Sequence, residues 1–246
     1  MGLHMFVPGG YDRAITVFSP EGRILQVEYA TEMVNNSPTA LGLVTKEGVV
    51  LAGLEKRLDA LQDREFSQKL FILDDHIGSV VAGFSSDARI LVENARTEAQ
   101  MNRLLYDEAI DMEYLIKKLS NIVQQYTQHA GVRPFGVSMI VGGVDQFAER
   151  LYQLDPSGVY GKYFATVVGV GKDEATAFFR ETYRRDLTLE EGIRHAIQGL
   201  VRASKEKLEA ERIRVATVPS DSLKFTLLPQ DETARVLEKE QPKGTE

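Results

Sequence analysis

The sequence predicts an α+β fold, a four-layer α-β-β-α sandwich of two antiparallel sheets flanked by helix pairs. Three observations lead there. The apolar segments run in the order strands, two helices, strands, two helices, strands. Long helices sit between hairpins instead of alternating singly with strands, which favours antiparallel sheets over a doubly wound parallel one. The helices carry apolar stripes that need a covering layer, and two stacked sheets would supply it on both outer faces. Neither an internal repeat nor a composition break divides the chain, so 1–246 reads as one domain.

Each element has its own local signal. Residues 1–10 are glycine-rich and aperiodic, which predicts a mobile arm. Ala14 to Phe18 is β-branched and aromatic, so it favours extended backbone. Ser19-Pro20-Glu21-Gly22 joins the preset φ of proline to the free φ of glycine, a turn signal. A helix is expected over 22–34, with Leu25, Val27, Tyr29, Ala30, Met33 and Val34 on its apolar face. Pro38 disfavours helix at Ser37. Thr39 to Thr45 and Val49 to Gly53 read as one hairpin, Lys69 to Leu73 and Ile77 to Ala82 as another. Ser85-Ser86-Asp87 offers N-cap oxygens to a helix reaching Tyr106, with Leu91, Ala95, Ala99 and Leu104 on one face. A second helix is expected from Met112 to Thr127. Strands are expected over 135–144, 150–154, 159–163 and 164–170, then helices over 173–184 and 188–208. Thr188 and Glu191 are spaced as a capping box. Strands over 213–218 and 223–228 come last, and 230–246 is expected to be a flexible charged tail.

Composition bounds the function. With 43% hydrophobic and 26% charged residues the chain is of the ordinary globular class. A formal charge of −7 argues against a nucleic-acid surface. The absence of cysteine removes disulfides, thiol catalysis and thiolate metal sites, and suits a reducing interior. The N-terminus lacks the pattern of a signal peptide, and no apolar run is long enough to span a membrane. A cytoplasmic protein is expected. The four histidines are scattered without ligand spacing, so neither metal nor cofactor is expected.

The most specified stretch is 11–30: Tyr-Asp-Arg, then Ser-Pro-Glu-Gly-Arg, then Gln-Val-Glu-Tyr-Ala. Read locally, it is an arm, a turn and the start of a helix. As a pattern it closely resembles the N-terminal signature of proteasome α-subunits of the archaeal kind. Arg133-Pro134-Phe135-Gly136 also resembles family sequence and reads as structural. The resemblance runs from about Tyr11 to about Leu228. It implies the fold of the N-terminal nucleophile hydrolases, the same four layers reached from element order.

That family contains active members, so the first question is catalysis. Its β-type subunits begin their first strand with a free N-terminal threonine, whose own amine serves as base. By register from Gly42, the nucleophile slot in this chain falls on Pro38, and Thr39 lies one position inside. Glu55 and Lys69 sit near the family's carboxylate and lysine positions. Without a nucleophile the set is incomplete, and the chain reads as non-catalytic.

The resemblance gives Lys69 another use. Read alone it is a solvated strand-edge lysine. In archaeal-type α-subunits the corresponding lysine lines a pocket between neighbouring subunits. There it pairs with the C-terminal carboxylate of a regulatory ATPase of the AAA+ class, whose tail ends hydrophobic-Tyr-any residue. Gly83 and the Ser37-Pro38 loop match other walls of that pocket. The family often has Gly-Ser where this chain has Ser37-Pro38. The resemblance also implies a gate: Tyr11, Asp12, Pro20 and Tyr29 would hold the open conformation of an axial pore, and Arg13 of the same motif would pair with an acidic neighbour. Two phenols and a carboxylate can hydrogen-bond across adjacent copies, and Pro20 stiffens the turn between them.

The implied protein is a non-catalytic α-subunit of a 20S core particle. Its partners would be six further copies in a heptameric ring, proteasome β-subunits, the regulatory ATPase and protein substrates. Two other readings remain: a self-processing threonine peptidase of the same fold, and a monomeric binding module. Three further patterns read as ordinary structure. Gly169-Val170-Gly171-Lys172 lacks the ending of a phosphate loop. Asp74-Asp75 is a hairpin turn before it is a calcium site, and 203–212 is a solvated helix face.

Overall fold

The computed structural model describes residues 17–56, 61 and 67–241. The expected arm over 1–10 and the gate residues Tyr11, Asp12 and Arg13 lie outside them. The elements are α1 (Leu25–Asn35), β1 (Ala40–Thr45), β2 (Gly48–Leu54), β3 (Leu70–Asp74), β4 (Ile77–Gly83), α2 (Ser85–Tyr106) and α3 (Met112–Tyr126). Next come β5 (Val137–Val144), β6 (Glu149–Leu154), β7 (Tyr160–Lys162), β8 (Ala165–Val168), α4 (Lys172–Thr182), α5 (Leu189–Ala203), β9 (Ile213–Pro219), β10 (Thr226–Leu227) and α6 (Gln230–Glu240). One sheet has the order β10-β9-β2-β1-β8, the other β3-β4-β5-β6-β7, and every pairing is antiparallel. Among the described residues no helix is long and apolar enough to cross a membrane.

Three apolar clusters define the layers. Leu91, Val92 and Ala95 of α2 and Leu115, Ile116 and Leu119 of α3 pack on Val81, Met139 and Val141 of one sheet. Phe179 of α4 and Ile193, Ile197 and Leu200 of α5 pack on Leu41, Leu43 and Val50 of the other. Between the sheets lie Leu51, Val80, Ile140 and Leu151, joined by Val34 of α1. The sandwich has four layers because both sheets are apolar on both faces, so each needs cover twice. The sheets approach closely at Gly42, where a Cβ would stand 2.8 Å from Leu151 Cδ1 and 2.9 Å from Leu51 Cδ2. Leu119 is fully buried between α3 and its sheet. Leu119→Ala is expected to cost about 2–5 kcal/mol of stability, read as a lowered denaturant midpoint with unchanged slope.

Several sequence expectations need correction. The helix expected over 22–34 begins at Leu25, because Gly22 adopts φ +78 and closes a turn through its N–H to the Ser19 carbonyl at 2.8 Å. Ser85-Ser86-Asp87 does not cap α2. Phe84 is its N-cap residue, with no side-chain bond. Leu104 is 82% exposed. It lies five residues beyond Ala99, which turns it about 140° off the buried face. The helix expected over 188–208 ends at Ala203, where Ser204 turns extended and its hydroxyl bonds the Glu206 backbone. The 203–212 stretch is therefore no helix face. Residues 223–228 yield only two paired residues, since Leu223 takes a left-handed φ of 53 and Phe225 enters the inter-sheet core. The flexible tail expected over 230–246 is, over Gln230–Glu240, an ordered helix. Leu237 is buried against the α5 layer, and Glu240 accepts from Gln198 at 2.6 Å. The expectation failed because α6 is polar on most of its surface, and two buried side chains, Thr233 and Leu237, suffice to dock it.

Candidate functional site

The exit of α1 and the β3–β4 hairpin meet at Lys69. The Ser37 N–H donates to the Val34 carbonyl at 3.0 Å and its hydroxyl to the Met33 carbonyl at 2.8 Å, which closes the helix end. The Ser37 carbonyl accepts from Val170 N–H at 2.8 Å. Both backbone groups of Ser37 are thus spent inside the chain, so this residue can shape a pocket wall but offers no amide to a ligand. Pro38 turns its carbonyl to Lys69.

Lys69 is not the solvated lysine of a strand edge. It is only 7% exposed, and its Nζ donates to Pro38 O at 2.6 Å and Val81 O at 2.9 Å. An ammonium has three donors, so one remains without a partner among the described residues. Burial pushes the group down from the ordinary lysine range to about 7, against the opposing charge of Glu55 and with the help of Lys56. Glu55 is itself committed: its Oε1 accepts from Ser67 Oγ at 2.6 Å and Gln68 N–H at 3.2 Å.

The remainder of the expected catalytic set is unsuited to hydrolysis. Pro38 has no hydroxyl. Thr39 is buried and its Oγ1 donates to Val170 O at 2.6 Å. Inside a peptide it has no free amine to act as base. A buried lysine and a carboxylate are therefore present with nothing to activate.

Gly83 ends β4 at φ +124, a region that suits glycine. A Cβ there would clash with the Gly136 carbonyl oxygen and stand 2.7 Å from Val137 Cα. Gly83 is joined to the Lys69 site along β4, since Val81 lies two residues before it. Lys69 is thus bonded to the residue after Ser37 and to the residue two before Gly83.

Of the residues expected to form a gate, Pro20 and Tyr29 are described. Pro20 sits in the turn closed by Gly22 N–H to Ser19 O and by Ser19 N–H to Arg23 O, both 2.8 Å. Arg23 then pairs with Glu28 on α1. Tyr29 is 53% exposed. Of the apolar face expected on this helix only Ala30 and Val34 are buried, and Met33 is exposed with Tyr29.

Sequence reasoning missed a clasp beside Gly83. Asp87 accepts from Arg133 through both oxygens, at 2.6 and 2.8 Å, and from Gly136 N–H at 2.9 Å. The signal was the Arg-Pro-Phe-Gly stretch, whose partner lies 46 residues away. At the other end of the β3–β4 hairpin, Asp74 accepts from Arg103 Nη2 at 2.9 Å, so this turn carboxylate is paired with a guanidinium.

Comparison with known proteins is consistent across the chain. The family model described as "Proteasome subunit" matches residues 34–218, and the model for the N-terminal signature of A-type proteasome subunits matches 11–32. A protein of Methanocaldococcus jannaschii, named as a proteasome α-subunit, is 43% identical over 237 residues, 96% of this chain and 90% of that one. Its namesake in Methanopyrus kandleri is 48% identical over 209 residues, 85% of each chain. That of Sulfurisphaera tokodaii is 45% identical over 233 residues, 94% of this chain and 96% of the other. The matches over the N-terminal signature and over most of the chain agree: the chain belongs to the proteasome subunit family, as an α-type member.

Proposed function

We propose that this chain is a non-catalytic ring subunit that gates entry to a proteolytic chamber formed by β-subunits and docks the C-termini of an AAA+ regulatory ATPase. The observation that carries the reading is Lys69, a buried ammonium with no hydroxyl to activate and one hydrogen left to donate. A terminal carboxylate satisfies such a group, since pairing offsets the cost of burying the charge. Gly83 walls the same neighbourhood, and the Ser37–Pro38 loop links it to α1, whose Tyr29 and preceding Pro20 turn belong to the gate. The uncovered face of α1 suits a neighbouring copy in a heptameric ring. The work is cytoplasmic, and the substrates are unfolded proteins admitted through the pore in ATP-dependent degradation.

Co-expression with a cognate β-subunit followed by native mass spectrometry tests the assembly. Rings of seven copies bound to rings of β-subunits are expected. Monomer alone at micromolar concentration, with the β-subunit present, would favour the monomeric binding module. The threonine-peptidase alternative predicts an intact mass beginning at Thr39 together with peptidase activity of this chain alone.

A further inference from the structure

The Gly83 wall of the docking neighbourhood has no side chain, so its place is set wholly by what its backbone rests on. It rests on Gly136: the Gly136 carbonyl accepts from Phe84 N–H at 2.8 Å, and a Cβ on Gly83 would clash with the same oxygen. Gly136 is held at its other backbone group too, by its N–H to Asp87 Oδ2 at 2.9 Å. Asp87 in turn is fixed by the Arg133 fork, and that guanidinium adds a bond to Pro134 O at 3.0 Å. The line runs without a break from Arg133 through Asp87 and Gly136 to Phe84 and Gly83.

A carboxylate in the first turn of a helix ordinarily serves the orphan amides of its own helix. Asp87 does not. The start of α2 has no side-chain cap, and the carboxylate, 8% exposed, turns outward to the loop before β5. The helix forgoes a cap so that this group can hold a neighbouring peptide. Burial raises the Asp87 carboxyl, but the Arg133 and Gly136 bonds overcome that and hold it below the usual aspartate range, so it stays charged through neutral pH. Bidentate arginine pairing fixes orientation as well as distance, which lysine cannot do. The guanidinium is 60% exposed, so the clasp is half wet, and its value lies more in geometry than in gross stability.

Resting on the docking role proposed for Lys69 and Gly83, we propose that Asp87 and Arg133 are a positioning pair that fixes the Gly83 wall relative to the Lys69 ammonium and so sets the affinity for a carboxylate-terminated peptide. Neither residue touches the peptide. Lys69 Nζ is tethered to Val81 O, two residues before Gly83 on the same strand. Slack at Gly83 therefore changes the distance between wall and charge.

The test uses the assembled α–β particle and a seven-residue peptide ending Leu-Tyr-Ala with a free carboxylate. Its C-amidated twin is the control. The readouts are the half-maximal peptide concentration for stimulated hydrolysis and the plateau reached. Arg133→Gln and Asp87→Asn are each expected to raise the half-maximal concentration about 10- to 100-fold, the scale of one charged hydrogen-bond set, with the plateau kept. Arg133→Lys should recover part of the shift. The double variant should be no worse than either single, because both changes open one clasp. A merely structural role would lower the plateau or the yield of particles and leave the half-maximal concentration alone, which overturns the proposal. Lys69→Ala runs in parallel. If it abolishes stimulation while the Arg133 and Asp87 variants match the parent, the positioning role falls and the docking role stands. If Lys69→Ala has no effect, the docking role falls and this proposal with it. Should Asp87→Asn not assemble, the Arg133 pair of variants, changed at an exposed side chain, decides the matter.

Discussion

Lys69→Ala should leave ring assembly intact and abolish ATPase-stimulated entry of peptides into an α–β particle. The ammonium is the charge that a docked carboxylate would meet, and its stem ends against Pro38 O and Val81 O. Removing it relieves a costly buried charge but leaves two carbonyls without their donor, opposing effects of a few kcal/mol at most that leave the fold standing. The functional loss should be far larger, because the charge sits on the one Nζ held between Pro38 O and Val81 O. Stimulation that survives Lys69→Ala would show that the carboxylate docks elsewhere. The same group makes docking pH-dependent. Burial lowers it to about 7, against about 10.4 in an unfolded chain. Between those values the unfolded chain binds the extra proton, so stability rises with pH there. Docking needs the cation, so affinity should move the opposite way. The half-maximal concentration of a carboxylate-terminated peptide should rise about tenfold for each pH unit above 7, until the bound carboxylate itself holds the proton on. A flat profile from pH 6.5 to 8.5 would contradict the assignment.

Deleting residues 2–12 should raise basal peptide hydrolysis of the same particle several-fold and make it insensitive to the regulator. The deleted segment includes Tyr11 and Asp12, and the chain beyond it holds the closed Ser19–Arg23 turn and α1. That turn is held by its own backbone bonds, so the deletion should not disturb assembly. An unchanged basal rate would refute the gate role. Hydrolysis that needs Lys69 after the deletion would show that docking does more than open the pore.

Much of the fold was legible because its determinants are local. Thr188 and Glu191 do form a capping box, with Glu191 N–H on Thr188 Oγ1 at 3.2 Å and Thr188 N–H on Glu191 at 2.8 Å. Alternating hairpins and paired helices were enough to order the layers, because each helix stripe could be covered only by a sheet. That Pro38 falls in the nucleophile slot is what the family resemblance implies, by register from Gly42. The features that escaped the sequence depend on distant partners. Asp87 looks like an N-cap until Arg133, 46 residues on, claims it. Lys69 looks solvated until Pro38 O and Val81 O enclose it. The helix Gln230–Glu240 looks like a tail because its charged residues outnumber the two side chains that dock it. Propensity and period report on a segment's own chain, and long-range burial overrides them at these positions.

The central claim is that a chain with this fold controls access to hydrolysis without performing it. The most direct test is peptide hydrolysis by particles of this chain assembled with β-subunits whose N-terminal threonine is replaced by alanine. No turnover is predicted, with or without residues 2–12, because Pro38 offers no nucleophile and the Thr39 hydroxyl is bound to Val170 O. Turnover that persists in those particles and disappears on Thr39→Val would contradict the account.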